Sequence, residues 1–445
     1  MKKVGLISLG CPRNLVDSEI MLGSLKNGGF EIAEVDEGVD VCVVNTCSFI
    51  GSAKQESIDM ILEAAELKKE GRIGKLVVSG CLSQSAKGEL LEEIPEIDLV
   101  LGTSDYPRIG SLVAGLGDKR IAAVSDKLTY LYDEDSPRFA LTPSHYAYVK
   151  ISEGCSNRCS YCIISNLRGD FRSRAIESIT EEIERFSSNG LLKEVNLIGQ
   201  DTTLFGLDRY GKEALPLLLK RICAMKNSVK WVRVLYTHPA HYSDDLISTI
   251  AGEEKICKYL DLPIQHISDR ILKAMNRRMT KSELIGLIRK LRKNIKGLAL
   301  RTSIIVGFPG ETESDFKELL DFVRETRFER LGAFIYSREA GTRAAGFKGQ
   351  VPEDIKEARL GELMELQKSI SADMNRSFLG TTMEVLIDEP VEGEVDRFLG
   401  RSSGDAPEVD GTVYVTGKGL KVGEFYFVKI TDTLEYDLIG THPIF

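Results

Sequence analysis

Apolar residues fall along this chain in two kinds of run. Short unbroken runs at 4–9, 41–44, 76–79 and 97–101 lack the alternation of a half-exposed strand. They predict strands buried on both faces, as in a parallel sheet. Between them, "NLVDSEIMLGSLKNGG" and "SAKQESIDMILEAAELKKEG" space their apolar residues at helical intervals and end in glycine. Strand and helix alternate, which predicts a doubly wound N-terminal α/β domain, flavodoxin-like in outline, over residues 1–134. The polar stretch "YDEDSPRFALTPSH" then predicts a linker.

The pattern resumes with predicted strands at 146–151, 193–198, 230–236, 258–262, 300–306 and 331–335. Helical patterns such as "TEEIERFSSNG", "KSELIGLIRKLRKN" and "ESDFKELLDFVRET" follow most of them. Six such units over 135–375 predict a partial or full barrel with its chemistry at the carboxyl ends of the strands. After a long helix near 352–378 the chain turns to short strands with glycine turns, "TMEVLIDEP", "GTVYVTGKG" and "GEFYFVKITDT". Residues 376–445 therefore predict a small β-barrel of five strands. The fold class is α/β multidomain.

A chain of 445 residues is too long for one core, which agrees with three domains. Its longest apolar runs are strand-sized, so no membrane span is expected. The N-terminus "MKKVGLISLG" runs into "CPRNLVDSE" without a small-residue cleavage site and reads as a first strand. A cytoplasmic protein is expected, and its nine cysteines should be reduced there. Charge is uneven. Residues 1–134 hold 14 Lys and Arg against 22 Asp and Glu, and residues 376–445 hold 6 against 13. Acidic end domains suit a basic partner better than a phosphate backbone.

Cys155, Cys159 and Cys162 lie within eight residues, just past the predicted strand end at Ile151. Three thiolates on a four-iron cubane leave one iron without a protein ligand. The competing reading is a zinc knot lacking its fourth ligand. A second trio is spread out: Cys11, Cys47 and Cys81 each follow a predicted strand of the first domain. Parallel strands share a direction, so these three should meet at one carboxyl edge. Cys42, Cys223 and Cys257 are expected in the core. His238 and His241 flank Pro239, which breaks any helix, so they read as a loop.

The spacing Cys-x3-Cys-x2-Cys, with Tyr161 before the last cysteine, resembles the signature of the radical S-adenosylmethionine (SAM) superfamily. There the open iron chelates SAM, and one-electron cleavage yields a 5′-deoxyadenosyl radical that removes hydrogen from a C–H bond. "SLGCPRNLVDSE", "VNTCSFI", "VSGCLSQ" and "EGCSNRCSYCIISNLRGDFRSR" together resemble the methylthiotransferase family over nearly the whole chain. The resemblance implies an N-terminal cluster domain, a radical SAM (β/α)6 partial barrel and a C-terminal OB-like TRAM barrel. It implies two 4Fe–4S clusters, held by Cys11, Cys47 and Cys81 and by Cys155, Cys159 and Cys162, with chemistry carried by clusters and SAM rather than by side-chain acids or bases.

By the same resemblance Tyr161, Gln200, Asp201, Arg233, Gln265, Gly307, Phe308 and Pro309 are expected around SAM or substrate. Arg168, Arg172 and Arg174 are expected to meet SAM or a substrate carboxylate, or to form a solvated loop. "GCPRNLVDSE", "GQDTTLFG" and "DLPIQH" look like the branch acting on an aspartate of ribosomal protein S-twelve, free or on the small subunit. The alternatives are a tRNA adenosine methylthiotransferase and a non-catalytic iron–sulfur or zinc RNA-binding protein. An external one-electron reductant, a sulfur source and a monomeric state are further expectations.

Overall fold

A computed structural model describes residues 1–442. The first domain is a parallel sheet of β1 (Lys3–Ser8), β2 (Glu31–Ile32), β3 (Val39–Thr46), β4 (Ile73–Gly80), β5 (Ile97–Leu101) and β6 (Ile121–Ala123), in the order β2-β1-β3-β4-β5-β6. That is a flavodoxin-like winding with its switch point between β1 and β3. Two strands, β2 and β6, are too short to leave an apolar run and were not expected. All eight residues of β3 but Asp40 are buried, as a strand covered on both faces requires. Helices α1 (Pro12–Asn27), α2 (Gly51–Lys69) and α3 (Cys81–Ala86) leave the carboxyl ends of β1, β3 and β4.

Residues 124–145 are more than a tether. Arg138 pairs with Glu19 of α1 and with Glu182 on the barrel helix Ile176–Ser187, and all three side chains are buried. Tyr132 is buried beside them and its hydroxyl accepts from the N–H of Lys150 at 3.0 Å. The polar composition that suggested a linker instead supplies the ionic cement between two domains.

The second domain is a parallel six-stranded open barrel. Its strands are β7 (Tyr146–Lys150), β10 (Glu194–Ile198), β11 (Trp231–Val234), β12 (Ile256–Asp261), β13 (Ala299–Val306) and β14 (Arg330–Ile335), paired in that spatial order. A two-stranded ribbon, β8 (Ser152–Glu153) with β9 (Arg172–Ser173), ties off the loop between β7 and the first barrel helix. The two barrel edges differ. β7 is buried throughout and its flank is covered by Val16 and Ile20 of α1, which join Tyr146 and Tyr148 in one apolar cluster. β14 keeps every residue at least partly exposed. Cys257 lies inside β12 rather than before it, buried in the barrel interior.

A helix, Glu353–Arg376, leads to the closed barrel β15 (Thr382–Pro390), β16 (Arg397–Ser402), β17 (Val413–Thr416), β18 (Phe425–Thr433) and β19 (Leu438–Thr441). The loop between β16 and β17 enters the amino-terminal end of the larger barrel. Arg233 donates to the Ser403 carbonyl at 2.9 Å, Tyr259 to Asp410 at 2.6 Å, and Arg330 pairs with Asp405. Arg401 meets Glu194 at 2.7 Å, and Ala406 is fully buried among the lumen aromatics. The small barrel thus stoppers the floor of the large one. Among the described residues no helix is long and apolar enough to cross a membrane.

Candidate functional site

Three of the six predicted ligand cysteines directly follow a glycine in the left-handed region. Gly10 has φ +88°, Gly80 +99° and Gly154 +79°. A Cβ on Gly10 would stand 2.8 Å from Cys47 Cβ, one on Gly80 2.3 Å from the Thr46 carbonyl, and one on Gly154 2.2 Å from the Asp170 carbonyl. Only glycine turns the chain here and tolerates that approach. Each step ends a strand sharply and presents the following cysteine at the edge.

Cys11 and Cys81 stand at the starts of α1 and α3, and Cys47 lies between the end of β3 and α2. As β1, β3 and β4 are adjacent and parallel, the three thiols converge at one carboxyl edge. Their surroundings differ. Burial pushes the Cys47 thiol up to about 11. Cys11 is desolvated too, yet the charge and hydrogen bond of Arg13 leave its thiol below the ordinary value. A nearby cation and a helix N-terminus both favour the thiolate.

The second trio is held by its own loop. Cys155 N–H donates to the Gly169 carbonyl at 3.1 Å, across the mouth closed by β8 and β9. Asn276 donates to the carbonyls of Asn157 and Arg158, and both Asn276 and Arg158 have positive φ. Ser160 exchanges backbone bonds with Met275 and Ala344. Strain and cross-linking concentrate here, as they do where geometry is functional. Burial pushes Cys155 up to about 11 and Cys162 up to about 12.

Cys11 of the first trio and all three cysteines of the second open on one cavity of about 350 Å³ at the carboxyl end of the barrel. Cys11 lines it from the first domain, and Cys155, Cys159 and Cys162 from the second. Tyr161, Gln200 and Gln265 also line it. Gln200 Nε2 donates to Glu153, which leaves its buried Oε1 without a partner beside the cavity. Gln265 has φ +72°, a conformation rarely held by a residue with a side chain.

Other expected contacts lie elsewhere. Asp201 is buried behind the wall, accepting from Asn157 Nδ2 at 2.6 Å and from Thr203. Arg233 is at the floor, 2.9 Å from Glu194. The amides of Gly307 and Phe308 both donate to Glu311, Gly307 lies under the Lys356 stem, and Phe308 packs on Tyr336 and Phe347. None of Gly307, Phe308 and Pro309 lines the cavity. Thr312 forms a capping box with Asp315 instead. Nor is the arginine-rich stretch after the cysteine loop solvated. Arg168 pairs with Asp17, Arg174 with Glu182, and Arg172 donates to backbone carbonyls.

Sequence reasoning missed Arg13, Tyr236, Arg277 and Arg301, all of which line the cavity. Arg277 reaches Cys159 Sγ at 3.8 Å. Arg301 lies between Asp261 and Asp410, at 3.1 and 3.3 Å. Only Arg13 carried a signal, two residues after Cys11. Of the pair His238 and His241, His238 lies on the cavity wall.

The donor sets fit four-iron clusters better than a single ion. Among the described residues, one group of three His, Cys, Asp or Glu donors has its ligand atoms all within 4.8 Å, and it is Asp201, His238 and His241. Neither cysteine trio is that tight. One zinc with thiolates at about 2.3 Å would draw them closer, to about 3.8 Å from each other. In the histidine group the two rings stack at 4.8 Å, and Asp201 already accepts from Asn157 and Thr203 and lies 3.1 Å from His241. Stacked rings do not aim their lone pairs at one ion.

Residues 149–323 match the radical SAM superfamily, residues 3–102 the uncharacterized protein family UPF0004, and residues 379–442 the TRAM domain. The ribosomal protein uS12 methylthiotransferase RimO of Geotalea uraniireducens (strain Rf4) is 49% identical over 445 residues, 99% of this chain and 98% of that protein. RimO of Clostridioides difficile (strain 630) is 48% identical over 442 residues, with the same coverage. Among solved structures, the radical SAM methyltransferase TsrM from Kitasatospora setae superposes with a TM-score of 0.58 at 13% identity, over 86% of this chain and 78% of that one. That likeness concerns the fold.

Proposed function

The chain belongs to the RimO family of ribosomal protein uS12 methylthiotransferases, and from that premise we propose that it attaches a methylthio group to the β-carbon of an aspartate of uS12. The family works with two 4Fe–4S clusters and SAM. When bound, these supply one-electron cleavage of SAM, a sulfur atom and a methyl group. Cys155, Cys159 and Cys162 would hold the cluster that receives SAM, and Cys11, Cys47 and Cys81 the other. The observation that carries the reading is the common cavity onto which Cys11 and the loop cysteines both open.

The chain's own residues shape the reaction space. Gln200 offers its free Oε1 as an acceptor, suited to the amino group of SAM. Tyr161 and Gln265 line the same wall, and Tyr161 packs against the apolar cluster around Phe308. Tyr336, Ser337 and Glu339, just past β14, and Phe49 and Ile50 of the first domain line the cavity together. Gly51 N–H donates to Ser337 Oγ at 3.1 Å, joining these two segments across domains.

Domain boundaries at 134/135 and 375/376 follow from this reading. The acidic C-terminal barrel, with exposed Glu392, Glu394, Glu424 and Glu435, would dock the basic protein uS12, free or on the small subunit. The protein acts as a cytoplasmic monomer and draws on an external one-electron reductant and a sulfur source. Anaerobic reconstitution should give about eight irons per chain. Offered SAM, sulfide, reductant, a uS12 peptide and an anticodon stem-loop, the enzyme should add the mass of SCH3 in place of H to the peptide. The same gain on the RNA alone would overturn the substrate assignment.

A further inference from the structure

Two arginines cross the seam between the first domain and the barrel in opposite directions, and each meets a thiol of the strand-edge trio. Arg168 belongs to the barrel, six residues beyond Cys162 on the short helix Ile164–Arg168. Its side chain is only 4% exposed. It donates to Cys81 Sγ at 3.4 Å and to Asn14 Oδ1 at 3.2 Å, while Asp17 takes its other nitrogen. Arg13 belongs to the first domain. It donates to Cys11 Sγ at 3.4 Å and to the Gly199 carbonyl of the barrel at 3.3 Å, and it lies 4.3 Å over the ring of Tyr236. Cys47, the third thiol, receives no arginine N–H among the described residues; its backbone N–H donates to Ser57 Oγ at 3.0 Å.

Asp17 shares its carboxylate between Arg168 and Lys150, and Lys150 also meets Glu153. Two buried carboxylates thus balance two buried cations, and what Arg168 gives Cys81 is a directed N–H rather than a net charge. Arg13 gives Cys11 both. Hydrogen bonds to cluster sulfurs and nearby positive charge stabilise the reduced form, which carries more negative charge.

We propose that Arg168, carried on the cysteine loop of the barrel, is a positioning residue of the N-terminal centre, and that with Arg13 it sets that centre's reduction potential. The barrel thereby tunes the centre held by the other domain. This rests on the reading of Cys11, Cys47 and Cys81 as cluster ligands, and the test separates the two. In the full-length chain, Cys155, Cys159 and Cys162 are replaced by Ala, leaving only the N-terminal centre. About four irons per chain then test the ligand reading by themselves.

On that background, Arg168→Met, Arg168→Lys and Arg13→Met are compared by redox titration followed by electron paramagnetic resonance. The midpoint should fall in both Met variants, and Arg168→Lys should recover part of the loss because it keeps an N–H donor. Unchanged midpoints in both Met variants at full iron content would overturn the proposal. So would equal shifts in Arg168→Met and Arg168→Lys, because side-chain shape rather than donation would then be the cause. Should Arg168→Met fail to retain iron, Arg168→Lys and Arg13→Met decide the matter.

Discussion

The two cysteine trios reach similar ends by opposite routes. Cys155, Cys159 and Cys162 come from one loop, tied off by a two-stranded ribbon and by bonds to Asn276 and Met275. Cys11, Cys47 and Cys81 come from three strand ends separated by more than thirty residues each, and only the parallel order β1-β3-β4 brings them together. The first is a local device whose spacing is its geometry. The second is a property of a sheet. A local site survives damage elsewhere in the fold, whereas a sheet-edge site depends on every strand that builds it.

The strongest way to break this comparison is to remove one thiol from each trio. Cys159→Ala should reduce 5′-deoxyadenosine formation to background and halve the iron content. Cys47→Ala should also halve the iron, yet leave SAM cleavage near the parental rate while stopping methylthio product. Loss of both activities in both variants would show one site rather than two.

Next in size is the seam. Lys150 is buried between Asp17 and Glu153. Lys150→Met leaves those carboxylates to Arg168 alone and should cost about 3–5 kcal/mol, read as a lower denaturant midpoint. The glycine steps sharpen the contrast further. Gly80→Ala forces a side chain into the left-handed region, costing about 1–2 kcal/mol before any clash with the Thr46 carbonyl. It should weaken iron retention at the sheet-edge centre and spare the loop centre. Gly154→Ala should do the reverse, with iron counts and spectra as the measure.

The smallest effect is that of pH. Glu153 is desolvated, but Lys150 and Arg168 outweigh this and hold its carboxyl down at about 2, against an ordinary 4.5. A depressed carboxyl contributes stability that is full above the ordinary value and is lost as pH falls through the lowered one. The parent should therefore lose thermal stability between about pH 4.5 and 2 more steeply than Glu153→Gln does.

The same contrast explains what the sequence disclosed. The six barrel strands were legible because each is a short, largely apolar run between helical patterns, and observed ends differ by only one or two residues. The loop trio was legible from spacing. The strand-edge trio required the further step of assuming parallel strands, although the repeated Gly-Cys at 10–11, 80–81 and 154–155 was an available clue. Arg277 and Arg301 were invisible because an arginine in a strand or a turn carries no mark of what it will face. Arg233 and Asp201 misled for the converse reason. Strand position gave their neighbourhood, but pairing with Glu194 and with Asn157 and Thr203 decided where their side chains went.

The stoppered floor of the larger barrel has a kinetic consequence. With Asp405, Ala406 and Asp410 wedged beneath the lumen, traffic to the reaction chamber is confined to the carboxyl-end mouth. A small cosubstrate and a bulky protein must then share a single doorway.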